Sequence, residues 1–239
     1  MQTLTDVQLE MLKSLTTPTV ANAIESFNVR MRNEGYTDQS IHQRLCVRTS
    51  RILPMVGYAV TAKVRTAQPP MRGTHYPDRN DWWNILQSAP KPKIMVIQDI
   101  DKVPGNGSVC GGIHGIIFKT LGCAGIVTNG AVRDVPELEK QQLAVFSGGV
   151  SPSHAYAHIV EIGTPVEIGG MHINNGDLLH GDQHGIVNIP LSIAADIYAH
   201  AQIQLAHELK VINYCHTPGF SVEKLRELVS MLAPPPEAE

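Results

Sequence analysis

The sequence predicts a single mixed α/β domain, and three observations carry that expectation. Between Lys93 and Ser147 the chain repeats strand, loop, helix, the alternation expected of parallel strands under covering helices. After Gly163, short β segments follow one another between turn residues, which adds a second texture to the same domain. Neither an internal repeat nor a linker divides the 239 residues, and 43% hydrophobic residues are enough to bury a substantial core.

The elements follow in order. Thr5 caps a small first helix. Gln8, three residues on, can return a bond to the cap, and Leu9, Leu12 and Leu15 form the apolar side. Thr17-Pro18 starts a second helix, with Thr17 as cap and Pro18 in the first turn, running through Val20, Ala23 and Ile24. Gly57–Val64 alternates apolar with small or polar residues and reads as a half-buried strand. The polar stretch Gln68–Asn80, with Pro69, Pro70, Gly73 and Pro77, is long for a connection and reads as a loop that covers something. A short helix follows at Asp81–Gln87 and a strand at Lys93–Ile100.

Pro104–Gly112 is a loop with four glycines, and Ile113–Leu121 is a helix ended by Gly122. Gly125–Thr128 is the next strand, followed by a tight Asn129-Gly130 turn, a helix begun by Pro136 and a strand at Ala144–Ser147. Pro165–Ile168, His172-Ile173, Asp177–His180 and Gly185–Ile189 are β segments, with Gly169-Gly170 and Asn174-Asn175-Gly176 as hairpin turns. Pro190 begins a long helix over Leu191–Val211, a shorter one covers Ser221–Leu232, and Ala233–Glu239 is a Pro-rich peripheral tail.

Composition narrows the classes of function. Net charge is −3, from 19 basic and 22 acidic residues, and no two Lys/Arg are adjacent. A nucleic-acid or anionic-membrane partner would need a concentrated basic patch, so neither is expected. No apolar run approaches the roughly 20 residues of a membrane span. The four cysteines, Cys46, Cys110, Cys123 and Cys215, lie far apart without a CxxC pair, and Met1–Leu15 carries no signal peptide. They are expected as reduced thiols of a cytoplasmic protein.

Two loops can carry chemistry. Cys110-Gly111-Gly112-Ile113-His114-Gly115 sits at a helix start, where unpaired amides and about half a positive charge suit a carboxylate or phosphate. Glycines there let a ligand approach the backbone, although they equally suit a tight strand-to-helix turn. Asn129-Gly130-Ala131-Val132-Arg133-Asp134-Val135-Pro136-Glu137 follows a short buried strand, at the end of an α/β sheet where ligands gather. Arg133 offers a fork of donors matched to a carboxylate or enolate oxygen. Asp134 is a hard oxygen ligand for Mg²⁺ or Mn²⁺, and Glu137 can sit over the pair in the first helical turn. Alone, an Arg-Asp pair is ordinarily a solvated ion pair.

Together the loops give Gly-x20-Arg-Asp-x2-Glu from Gly112 to Glu137, which resembles the RraA-like family. That family includes the class II 4-hydroxy-4-methyl-2-oxoglutarate / 4-carboxy-4-hydroxy-2-oxoadipate aldolases and the regulator of ribonuclease activity A. The resemblance extends to Thr17–Ala23, to the hairpin Gly176–Val187 and to the helix carrying Ala206-His207-Glu208. Residues 1–15 and the Gln68–Asn80 loop fall outside it. It implies a swivelling β/β/α sandwich spanning residues 1–239, with mixed sheets and covering helices. It also implies assembly into a trimer or hexamer with sites between subunits.

For the chemistry, the resemblance implies a Mg²⁺ or Mn²⁺ ion on Asp134, mostly through waters. A 2-oxo acid such as pyruvate would be held by Arg133 and by the amides of Gly112, Ile113, His114 and Gly115. Glu208 of a neighbouring subunit would approach the metal's water shell. The reaction expected is cleavage of a C–C bond beside a pyruvyl unit, by retro-aldol reaction or decarboxylation of oxaloacetate, in which negative charge develops on the C2 oxygen. The chain departs from the aldolases where Ile113 and His114 replace an acidic residue and where Asn129 and Asn22 replace Asp. His114 can organise a water acting as acid or base, or simply be packed.

Rival readings are a zinc site at His180-x-Asp182-x-His184, with His154 and His158 sharing one face elsewhere, and a non-catalytic regulator that binds and inhibits an RNA-degrading enzyme. Asp134 separates the enzyme from the regulator, whose branch lacks it. A quinone methyltransferase finds no Gly-rich cofactor motif with a following acid at Rossmann spacing. His200 and His207 read as surface or subunit contacts, and Trp82-Trp83 as core or a lid hinge.

Overall fold

The computed structural model of the chain describes residues 3–45 and 54–230, with the backbone alone at 42–45. Cys46, the expected last residues of the final helix and the Ala233–Glu239 tail lie outside the described residues. Helix α1 (Asp6–Lys13) begins with the expected reciprocal cap: Gln8 N–H donates to the Thr5 hydroxyl, and Thr5 N–H donates to the Gln8 side chain. Helix α2 (Thr17–Glu25) starts one residue earlier than expected. Thr16 is the cap, accepting from Thr19 N–H, and Thr17 is the first helical residue. Thr17 is thereby released for another task.

Strand β1 (His42–Leu45) leads to β2 (Met55–Arg65), then α3 (Arg79–Ser88), β3 (Lys93–Asp99), β4 (Ser108–Cys110) and α4 (Gly112–Thr120). Next come β5 (Cys123–Val132), α5 (Val135–Lys140), β6 (Ala144–Val150), β7 (His158–Ile162), β8 (Val166–Ile168) and β9 (Met171–Ile173). β10 (Leu178–Asp182), β11 (Gly185–Ile189), α6 (Ile197–Cys215) and α7 (Val222–Ser230) complete the described elements. The nine-stranded sheet has the order β1-β6-β5-β3-β2-β10-β11, with β4 beside β5 and β7 beside β2. The pairs β2–β3, β3–β5, β4–β5 and β5–β6 are parallel, whereas β1–β6, β2–β10, β2–β7 and β10–β11 are antiparallel.

Both faces of the sheet are covered. On one, α3, α4 and α5 pack Trp82, Leu86, Phe118 and Leu138 over β2, β3 and β5, while α1, α2 and α6 cover the β10–β11 end. On the other, the β8–β9 hairpin packs Val166, Ile168, Met171 and Ile173 over Met55, Ala59, Ile94 and Val96. This is the β/β/α layering expected. It also corrects the half-buried reading of Gly57–Val64: parallel strands inside such a sandwich are buried on both faces, and β2 is buried along nearly its whole length.

Other boundaries moved for identifiable reasons. Asn129-Gly130 is no turn. β5 runs through it with a register shift, because the Asn129 side chain bonds both Asp99 N–H and Asp99 C=O across the sheet. Gly169-Gly170 closes the β8–β9 hairpin, but Asn174–Gly176 carries the chain from β9 to β10 in the other sheet and closes none. Residues 191–196 are turns, and α6 starts only at Ile197. Lys93 is fully buried, and its ammonium donates to the carbonyls of Leu86 and Leu121 at the ends of α3 and α4.

Candidate active site

The ends of β2 and β3 and the loop that enters β4 are tied together before the site begins. Asp99, at the end of β3, accepts from the Thr66 hydroxyl at 3.0 Å and from Gly105 N–H at 2.9 Å. The Thr66 oxygen in turn accepts from Gly107 N–H at 3.1 Å. This buried carboxylate therefore fixes the entry of the Gly-rich loop, a role the sequence reading did not assign it.

The two motif loops interlock. Arg133 N–H donates to Cys110 C=O at 2.9 Å, and Gly112 N–H donates to Asp134 Oδ2 at 3.1 Å. A Cβ on Gly111 would lie 2.5 Å from Asp134 Oδ2, one on Gly112 2.9 Å from Glu137 Cβ, and one on Gly115 2.5 Å from Leu138. The glycines are thus required first by the close approach of the Arg133–Glu137 segment. Of the four amides assigned to a carboxylate cradle, Gly112's goes to Asp134 and Gly115's to Gly111 C=O. Those of Ile113 and His114 have no acceptor among the described residues and remain in the first turn of α4.

Asp134 is the N-cap of α5 in a left-handed conformation, φ 52° and ψ 43°, which Asp tolerates better than most side chains. That turn projects its carboxylate back toward α4. The Arg133 guanidinium lies 3.6 Å from Asp134 Oδ2, and the two side chains keep 38% and 44% exposure, so both remain available to a ligand. Both line a cavity of about 640 Å³. Its far walls are the long loop (Pro70, Pro77), α3 (Arg79, Trp83) and the segment His154–Ile159. The Gln68–Asn80 loop therefore does cover something, as its length suggested.

His114 lies in the same cavity, its ring 5.9 Å from that of Phe118. Burial, and then the charges of Arg79 and Arg133, hold its pKa below the ordinary value, so it is a neutral imidazole at pH 7. Cys110 also lines the cavity, but burial and the nearby Asp134 charge push its thiol far up, which removes it as a nucleophile.

Among the described residues no cluster of three or more His, Cys, Asp or Glu could hold a metal. The donor set suits instead a hard divalent ion that keeps most of its waters: one part-exposed carboxylate, with Oδ2 engaged and Oδ1 without a protein partner among the described residues. Glu208 lies on α6, in the α1–α2–α6 cluster, apart from the α3–α4–α5 cluster that carries Asp134. Glu137 stands over Gly112, as its spacing implied. The backbone carbonyl of Asn22 accepts from the Gln204 side chain of α6.

The histidine and aspartate residues of the zinc reading have other partners. Thr17 N–H donates to Asp182 Oδ2 at 2.9 Å, the Thr17 hydroxyl meets His180 Nδ1 at 3.0 Å, and His180 Nε2 meets Leu12 C=O at 3.1 Å. Burial lowers the His180 pKa to about 4. For Asp182, burial opposes ionisation, but the amides of Thr17 and His184 outweigh it and the pKa is lowered. His200 is an internal contact, its ring 4.1 Å from that of Phe27 and tilted by 36°, and Trp82 is core, edge-on to Phe118. The sequence reading missed Arg79 and considered His154 and His158 only under the rival zinc reading, whereas both line the cavity. The signal was the long loop that brings the first to the cavity.

Comparisons with known proteins bear on the family and the fold. The RraA-like family profile, described as Aldolase/RraA, matches residues 17–188. An uncharacterised protein of Methanocaldococcus jannaschii is 27% identical over 135 residues, 55% of this chain and 65% of that protein. An Arabidopsis thaliana protein named "Putative 4-hydroxy-4-methyl-2-oxoglutarate aldolase 3" is 37% identical over 110 residues, 44% of this chain and 62% of that protein. The chain thus spans less than two thirds of each relative's length. Streptomyces coelicolor RraAS2, described as an unusual member of the RNase ES inhibitor RraA protein family, shares the fold. Its TM-score is 0.68 at 20% identity, over 88% of this chain and 98% of that one. No helix among the described residues is long and apolar enough to cross a membrane. Together with the Arg133–Asp134 turn locked against the Gly-rich helix start, the match over residues 17–188 settles the affiliation: the chain belongs to the RraA-like family.

Proposed function

We propose that the protein is a Mg²⁺- or Mn²⁺-dependent lyase that breaks a C–C bond beside a pyruvyl unit, either by retro-aldol cleavage of 4-hydroxy-2-oxo acids or by decarboxylation of oxaloacetate. One observation carries the reading. Arg133 and Asp134 are presented together, half-exposed, on a left-handed turn beside the open amides of Ile113 and His114 at one cavity. The name of the Arabidopsis relative supports the aldolase class.

The carboxylate of a 2-oxo acid would take the Ile113 and His114 amides at the positive end of α4. The Arg133 fork would then meet the C2 oxygen, where negative charge grows as the C3–C4 bond breaks, and stabilise it without reorganisation. Asp134 would hold the metal ion, with Glu208 of a neighbouring copy at its water shell. When bound, the ion supplies a Lewis acid for the ketone and carboxylate oxygens. Neutral His114 would orient a water or proton without adding a positive charge that competes with Arg133. The partner set proposed is a small 2-oxo acid and further copies of the chain, as a cytoplasmic trimer or hexamer.

The test is pyruvate release from oxaloacetate by EDTA-treated protein, with and without Mg²⁺ or Mn²⁺, in a coupled assay. Turnover that needs metal and falls by about 10²–10³-fold in Arg133→Ala is expected. No turnover, together with no metal-dependent thermal shift by pyruvate or oxalate, would sink the lyase and leave the regulator of an RNA-degrading enzyme.

A further inference from the structure

The roles above leave a gap. Retro-aldol cleavage needs a group that takes the proton of the C4 hydroxyl, and none of Arg133, Asp134 or the α4 amides does so. Three histidines are among the residues that line the cavity: His114, His154 and His158. His114 is a poor acceptor, since burial and two neighbouring guanidinium groups disfavour its protonation. His154 is exposed, whereas His158 is half-buried at the first residue of β7.

His158 is also fixed from two sides. Its Nδ1 lies 2.8 Å from the Tyr156 carbonyl, and its ring stands edge-on to Tyr76 of the long loop, with centroids 5.1 Å apart at 79°. A carbonyl oxygen can only accept, so Nδ1 carries the proton and Nε2 keeps its lone pair. The supporting turn is itself braced: Ser108 N–H donates to Ser153 C=O at 2.8 Å, and Tyr156 N–H to Thr66 C=O at 3.1 Å. It is therefore tied to the same backbone that shapes the Gly-rich loop. Ala155 within it is held at φ 45°, a conformation few alanines adopt and one that surrounding contacts must impose.

We propose that His158 Nε2 is the proton acceptor for the C4 hydroxyl of a 4-hydroxy-2-oxo acid, an inference that rests on the lyase reading. The imidazole takes the hydroxyl proton, the C4–O bond becomes a carbonyl and the C3–C4 bond breaks. Its electron pair moves to the C2 oxygen as an enolate facing Arg133. The imidazolium then returns its proton to C3, giving pyruvate and the carbonyl product. Decarboxylation of oxaloacetate forms the same enolate but has no hydroxyl to deprotonate.

The two reactions therefore separate the role. Wild type, His158→Gln and His154→Gln are assayed with Mg²⁺ on 4-hydroxy-4-methyl-2-oxoglutarate and on oxaloacetate. His158→Gln is expected to lower kcat for the aldol substrate by about 10²-fold or more, and the ratio of aldol to decarboxylase rates by at least about tenfold. His154→Gln should keep the ratio. Residual decarboxylation reports that the variant has folded. An unchanged ratio in His158→Gln, or a fall confined to His154→Gln, overturns the assignment while sparing the lyase. Wild type inert to both substrates overturns both. Independently of turnover, long-range ¹H–¹⁵N correlations at mildly alkaline pH should show His158 as the Nδ1–H tautomer, and the Nε2–H tautomer would refute the proposal.

Discussion

The molecule makes one hydrogen-bonding arrangement twice and uses it differently. At the cavity, Asp134 accepts the N–H of Gly112 at the start of α4. At the β10 end, Asp182 accepts the N–H of Thr17 at the start of α2. Each carboxylate has a basic neighbour, Arg133 at 3.6 Å in the first case and His184 at 2.9 Å in the second. What differs is burial: the Asp134 side chain is 44% exposed and that of Asp182 only 3%. Closed off from solvent, the Asp182 carboxylate can only hold α2 onto the sheet, whatever the exposure of His184 beside it. Left open, the first keeps an oxygen and a guanidinium for something that arrives. Residue types at a helix start therefore do not decide between staple and site; access does.

The sharpest way to break that comparison is to neutralise each carboxylate. Asp134→Asn, which tolerates the left-handed turn, should cost on the order of 10²–10³-fold in metal-dependent pyruvate formation with the unfolding midpoint unchanged. A stability loss without an activity loss would reverse the assignment. Acid comes next. His180 is neutral in the fold with a pKa of about 4 against an ordinary 6.5, so between those values the unfolded chain binds more protons. Stability should then fall as pH drops from 6.5 toward 4, by on the order of 3 kcal/mol. Denaturant titrations across that range should show this fall, and His180→Asn should flatten it while lowering stability at neutral pH.

Asp182→Ala should remove about 2 kcal/mol by stranding the Thr17 and His184 amides, with turnover of the folded protein retained. A variant that unfolds normally but turns over slowly would count against the staple. Smallest is Gly111→Ala, whose φ of −144° any residue adopts, so only the new contact with Asp134 Oδ2 at 2.5 Å matters. A loss of about tenfold in turnover with little change in stability is expected from the displaced carboxylate.

The layering and most elements were legible because each has a local cause. The Thr5–Gln8 cap, the Gly122 stop and the Gly169-Gly170 hairpin depend on residues only a few positions apart. The Arg133-Asp134 turn was legible through its spacing from Gly112. What stayed hidden depends on partners distant in sequence. Asn129-Gly130 has turn composition but is held in β5 by Asp99, thirty residues earlier. β7 was not read as a strand, and only His158 in it was singled out, since its strand character comes from pairing with β2. The interlock of Gly111 and Gly115 with Asp134 and Leu138 cannot be told from a flexible loop until the second helix is packed against the first. The walls supplied by Pro70, Pro77 and Arg79 follow from where a long loop lands, which no periodicity encodes.

The bond between Thr17 and His180 joins residues 163 positions apart. During synthesis, α1 and α2 leave the ribosome well before β10 and β11, the strands they dock on. Until then Leu9, Leu12, Val20 and Ile24, all buried in the finished fold, have no β10–β11 surface to cover them. These two helices are thus made long before they can be seated. Through most of translation they are the segment on which a holdase would act, and a truncation before β10 should leave them open to protease.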